Sequence, residues 1–168
     1  MKITGYMLRE AIKMHELRRD TAAAAFAPSL KKFETETKTA PHDIVKEFLA
    51  AEEDIAKLQM VQARYNLHVA VTVHGTRMSL AEAVKRLGGM SRVEKMWRSA
   101  TGTKVDRYSY QSDERSKDVL IARTTITTAE AMKLAQTAAK ATGEFRAAIA
   151  TGNATEFEAE TLDAKLFD

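Results

Sequence analysis

The chain has 168 residues, 45% apolar and 29% charged, the proportions of a soluble globular protein. It has no cysteine, which excludes disulfides, thiolate chemistry and cysteine zinc sites and points to a reducing, cytoplasmic setting. No stretch has the apolar run of a signal peptide or a membrane span, and the net charge of +3 divides into a basic body and an acidic end.

Residues 4 to about 38 read as helix. Met7, Ala11, Met14 and Leu17 recur at helical spacing, with Leu8, Ile12 and His15 alongside. AAAAFA then offers a small-residue surface for close helix approach. Pro28 lacks an amide donor and should end or kink the helix near Ala27, with a weaker helix over 29–38. After Pro41, residues 42–66 form a second helix. Its stripe is Ile44, Phe48, Ala51, Ile55, Leu58, Gln62 and Tyr65. The short link makes the two an antiparallel pair.

Residues 67–74, LHVAVTVH, alternate apolar and polar and predict a strand, followed by a turn at Gly75-Thr76 and a short return strand at Arg77-Met78. Three capping boxes follow. Ser79 with Glu82 opens a helix to residue 87, Ser91 with Glu94 opens one over 91–100, and Gly88-Gly89 bends the chain between them. Thr127 with Glu130 opens a helix over 128–150, with Met132, Ala135, Ala139, Thr142, Phe145 and Ile149 on its stripe and a stop at Gly152-Asn153. Before it, VDRYSY (105–110) and VLIARTTI (119–126) predict a second hairpin. The expected class is mainly α with small β (α+β): long antiparallel helices with one or two short β-hairpins. The expected division is a single helical domain over 1–153 and an acidic tail over 154–168, either a short helix or ordered only on binding. So few elements give a single copy a thin core, so the chain is expected to be a homo-oligomer, dimer or higher.

The four histidines, His15, His42, His68 and His74, have no metal-ligand spacing, and His68 and His74 stand six residues apart on one predicted strand. No glycine-rich phosphate loop and no nucleophilic serine setting is present. A non-enzymatic protein with no metal or cofactor is therefore expected. The stretch DRYSYQSDERSK, residues 106–117, carries the one chemical signal. Arg107, Tyr108, Ser109 and Tyr110 come from the first strand, Arg115 and Lys117 from the loop, and Arg123 from the returning strand. Arg92, Trp97 and Arg98 come from the preceding helix. Arginine offers a planar fork of donors to a phosphate, and an aromatic ring offers a stacking face to a base. The bland alternative is a solvated hairpin with exposed ion pairs of little energetic value.

Four short motifs run through residues 5–150. Leu8-Arg-Glu-Ala-Ile12 fits L-x-E-A-L, and Arg64-Tyr65-Asn66 fits R-x-N. His74 to Val84 looks like D-G-x-x-L-x-E-A-L with two extra residues. Arg107-Tyr108-Ser109 fits the start of R-Y-S-R-x-E-I-K. In this order they resemble the septicolysin-like bacterial family of helical proteins. The resemblance implies the helical architecture and no established activity. Tyr110 stands where the family has a second arginine, and the acidic tail has no counterpart.

The leading functional expectation is capture of a small phosphorylated, nucleotide-like ligand in a basic Arg/Tyr pocket at an oligomer interface. Small viral proteins that sequester cyclic nucleotide immune signals have a similar general plan. Two alternatives stand beside it: a structural or assembly subunit, and weak nucleic-acid binding, which the basic body permits and the lack of any long basic run disfavours.

Overall fold

The computed structural model describes residues 1–31, 39–101, 126–159 and 162–167. The protein is mainly α with small β. Strand β1 (Lys2–Ile3) precedes helices α1 (Gly5–Ser29) and α2 (Pro41–His68). Strands β2 (Ala70–Val73) and β3 (Thr76–Ser79) lead into α3 (Leu80–Thr101). Helix α4 (Thr128–Ala154), strand β4 (Phe157–Glu158) and a 3-10 turn (Ala164–Phe167) complete the order. The chain divides into two compact units, Met1–Ala83 with Ala148–Asp168, and Val84–Ala147. The expected helix over 29–38 is described only to residue 31. The second hairpin, apart from Ile126, lies outside the described residues.

In the first unit, Thr4 caps α1, its hydroxyl accepting from the Met7 amide at 3.2 Å. Leu8, Ala11, Ile12, His15 and Ala22 are buried, whereas Met7, Met14 and Leu17 are exposed. The buried stripe is thus the Leu8–Ile12–His15 line, displaced from the expected Met7–Met14–Leu17 line. Both lines have helical spacing, and the packing partner decides which one is covered. That partner is α2, started by Pro41, whose fixed φ suits the first helical position. It buries Ile44, Ala51, Ile55, Leu58 and Tyr65. Arg18 reaches Glu47 at 3.4 Å, Arg19 reaches Glu52 at 3.4 Å, and Gly5 lies beside Tyr65, so the two helices run antiparallel.

Helix α2 continues through Leu67 and His68, two residues expected in the strand. Strand β2 buries Val71 and Val73, and its antiparallel partner β3 buries Met78, with Val71 opposite Met78. The two-residue connection is His74-Gly75, not Gly75-Thr76. Both have positive φ, 51° and 75°, the signature of a type I′ hairpin turn. His68 and His74 therefore share no strand face.

Tyr65 ties this unit together. Its hydroxyl hydrogen is shared between the carbonyls of Gly152 at 2.6 Å and Thr155 at 2.8 Å. Burial pushes its ionisation above the ordinary tyrosine range. Gly152 does not stop α4. A Cβ there would stand 2.7 Å from Val71 Cγ1 and 3.0 Å from Leu80 Cδ1, so the residue permits close approach within a helix that continues to Ala154. The chain end belongs to the same unit. Strand β4 pairs antiparallel with β1, and Met1 and Ala159 exchange backbone hydrogen bonds of 3.1 and 2.9 Å.

In the second unit, α3 continues through Gly88-Gly89 without interruption, which places Ser91 inside a helix rather than at a cap. Ser79 does cap it, accepting from the Glu82 amide at 3.2 Å. At the start of α4 the capping box forms in both directions. Thr127 Oγ1 accepts from the Glu130 amide at 3.2 Å, and Glu130 Oε2 accepts from the Thr127 amide at 2.9 Å. These donors hold the Glu130 carboxyl below the ordinary carboxylate range. The buried stripe of α4 is Ala131, Ala135, Ala138, Thr142 and Phe145. Ala131 and Ala138 replace the expected Met132 and Ala139, the stripe selecting small side chains while Met132 stands 54% exposed.

Candidate functional site

Arg92, Trp97 and Arg98 all lie on α3. At 3.6 residues per turn they stand about 120° apart around the helix and cannot converge on one ligand from α3 alone. Arg98 donates through Nε and Nη2 to Glu94 Oε1, both at 2.9 Å, and its charge is balanced there. Trp97 is half-buried and Arg92 exposed. Arg107, Tyr108, Ser109, Tyr110, Arg115, Lys117 and Arg123 lie outside the described residues.

The first unit contains a groove that sequence reading missed. It occupies about 700 Å³ at the end of the α1–α2 pair opposite Tyr65, beside the C-terminal 3-10 turn. Its apolar lining is Met14, Leu17, Ala22, Ala25, Pro28 and Ile44. The exposed line of α1, which the periodicity assigned to the core, supplies Met14 and Leu17. The alanine run that follows leaves room instead of filling it. Pro28 cannot donate to the carbonyl one turn back, and α1 ends at Ser29.

Polar groups converge on the same groove. Arg18 and Glu47 pair across the two helices at 3.4 Å, and Lys165 enters from the 3-10 turn. Two cations against one carboxylate leave the lining net positive. Thr21 and Ser29 spend their hydroxyl hydrogens on the carbonyls of Leu17 at 2.8 Å and Phe26 at 2.6 Å, leaving oxygens as acceptors.

His15 also lines the groove and is 9% exposed. Its Nε2 lies 3.1 Å from the Leu166 carbonyl, which can only accept, so Nε2 carries the hydrogen. This bond holds the 3-10 turn, and with it Lys165, against α1. The other ring nitrogen, Nδ1, is buried without a hydrogen-bond partner among the described residues; Asp54 Oδ2 lies 3.7 Å away. The signals for this site were in the sequence: a histidine within an apolar helical stripe, a run of alanines and a proline. Nothing in the sequence joined them to Lys165, 150 residues away.

Among the described residues no group of three or more histidines or carboxylates is placed to hold a metal ion, and no helix is long and apolar enough to cross a membrane. No protein-family model matches the chain, and no curated protein matches it. Its fold is similar to the crystal structure of a functionally unknown conserved protein from Corynebacterium diphtheriae. The TM-score is 0.67 at 18% sequence identity, over 94% of this chain and 100% of that one. At that identity the likeness establishes the fold alone.

Proposed function

We propose that this chain is a non-enzymatic binding protein for a small organic anion, held in the groove between α1, α2 and the C-terminal turn. One observation carries this reading. A concave, mostly apolar surface of about 700 Å³ is combined with a few convergent polar groups of net positive charge, the composition of a small-molecule site. The apolar floor suits an aliphatic or alicyclic body. Arg18 and Lys165 suit a carboxylate or phosphate, the arginine by a fork of donors and the lysine as a point charge. His15 belongs to the wall, where its bond to Leu166 keeps Lys165 in place.

Capture of a phosphorylated, nucleotide-like ligand by Arg107, Tyr108, Arg123 and their neighbours is the second reading, supported by residue chemistry in the sequence. One experiment separates the two. Small molecules released by heating the purified protein are identified by mass spectrometry, and alkyl carboxylates, alkyl phosphates and linear and cyclic nucleotides are screened by thermal shift. A ligand at a hundredfold over its dissociation constant adds about 2.7 kcal/mol. For a chain of this size that raises the melting temperature by roughly 5–11 °C. The groove reading expects the shift to vanish in Arg18→Gln/Lys165→Gln and in the groove-filling Ala25→Leu. A shift that survives those variants and is lost in Arg107→Ala/Arg123→Ala moves the site to the second reading. No released molecule and no shift across the panel overturns both and leaves an assembly subunit.

A further inference from the structure

Helix α2 has a second apolar face, separate from the one that covers α1. Val45, Leu49, Ala56, Met60, Ala63 and Leu67 recur at helical spacing and fall within a strip about 60° wide. Its centre lies roughly 120° around the helix from the Ile44–Ile55 line that faces α1. All six are exposed, Leu49, Met60 and Leu67 to 60%, 61% and 66%. A helix packed against one neighbour needs one apolar strip. This one carries two.

The second strip is complementary to itself. At one end Ala22, Ala23, Phe26, Ile44, Val45 and Phe48 surround an apolar hollow of about 270 Å³. At the other end Leu67 protrudes from the last turn of α2. Val45 and Leu67 are separated by about 33 Å along the axis. Two copies laid antiparallel with Ala56 on the two-fold axis bring each Leu67 to the hollow of the other copy. They also set Leu49 against Ala63, large against small. The methyl group of Ala56 lets the backbones approach at the axis. The flanking charges are balanced within the chain: Lys46 with Asp43 at 3.7 Å, Lys57 with Glu53 at 2.8 Å, and Glu52 with Arg19 at 3.4 Å. No uncompensated row of one sign opposes itself across the axis at these positions.

We infer that this face binds a second copy of the chain, as a two-fold antiparallel α2–α2 pair. An isologous contact requires one surface to carry both knob and hole, and this strip does. Its length on both copies suits an interface at the lower end of the stable range, which begins near ~1,200 Å². The inference is independent of what the groove holds.

The absence of cysteine makes the test direct. Ala56→Cys places one thiol per copy at the axis, and Leu67→Cys places one at each distal end. Under mild oxidation, Ala56→Cys is expected to cross-link nearly completely, and Leu67→Cys no more than Met96→Cys, an exposed control on α3. Combining Val45→Cys with Leu67→Cys restores cross-linking, because these two meet across the pair. In light scattering the unmodified chain is expected at twice its 18.7 kDa mass, and Leu49→Glu/Leu67→Glu at the single mass with unchanged helical circular dichroism. Equal cross-linking of Ala56→Cys and Leu67→Cys would mean a parallel pair and overturn the geometry. A monomeric unmodified chain, or a Leu49→Glu/Leu67→Glu variant that stays dimeric, overturns the interface.

Discussion

The α1–α2 pair has a closed end and an open end, built from similar materials. At the closed end Gly5 leaves room for the Tyr65 ring and Gly152 for Val71 and Leu80, and the Tyr65 hydroxyl meets two carbonyl acceptors. At the open end the alanines of α1 also remove volume, but no large side chain fills the space, and His15 has one of its two ring nitrogens bonded. Small residues beside a large, fully satisfied polar side chain make a lock. Small residues beside a partly satisfied one make a groove. The difference lies in what stands opposite, not in the small residues themselves.

The largest expected effect is at the lock. Tyr65→Ala removes a fully buried aromatic ring and should cost about 3–5 kcal/mol in urea unfolding. Tyr65→Phe keeps the ring but leaves the Gly152 and Thr155 carbonyls without the hydroxyl, and should cost about 1–3 kcal/mol. If Tyr65→Phe is neutral, the two bonds do not hold the closed end and the contrast fails.

The glycines sharpen the comparison through the sign of their effects. Gly152→Ala must displace Val71 or Leu80 and should destabilise by about 1–3 kcal/mol. Gly143 sits in the same helix with nothing within 4 Å of an added Cβ, so Gly143→Ala should stabilise by up to about 1 kcal/mol. Thermal melts of the two variants that move in the same direction would refute the close-approach argument.

The open end should tolerate what the closed end does not. Ala25→Leu fills part of the groove and should change stability by less than about 0.5 kcal/mol, as expected away from a packed core. A loss comparable to that of Gly152→Ala would show that the alanine run is already packed.

The smallest effect is a pH dependence set by exposed carboxylates. The Thr127 amide and hydroxyl hold the Glu130 carboxyl below its ordinary value of 4.5, and Lys57 does the same for Glu53. A depressed folded value means that the unfolded chain takes up the proton first. Their contribution is therefore complete above pH 4.5 and lost as pH falls through the lower folded values. Glu130→Gln should flatten part of that acid-side slope in a pH series of melts. An unchanged slope would mean that the cap contributes nothing by ionisation.

The comparison also shows which parts of the chain were legible. The α1–α2 pair, the β2–β3 hairpin and the Thr127–Glu130 cap followed from spacing and cap chemistry, because these depend on neighbours within a few residues. The errors share a physical form. Met7–Met14–Leu17 and Leu8–Ile12–His15 are both valid helical stripes, and only the partner helix chooses between them. Gly88-Gly89 and Gly152 looked like breaks, yet glycine in a helix costs about 1 kcal/mol and packing can offset it. The groove drew on residues near both ends of the chain and had no local pattern.

The sequence by itself determined the helical class, the caps at Ser79 and Thr127, the β2–β3 hairpin, and the absence of thiol chemistry, since each rests on local periodicity, backbone preference or composition. The tertiary structure alone decided which apolar stripe is buried, that Tyr65 closes one end of the helix pair, and that Lys165 and Arg18 line one groove. Those outcomes depend on contacts between residues far apart in the chain, where no local energy term prefers one partner over another.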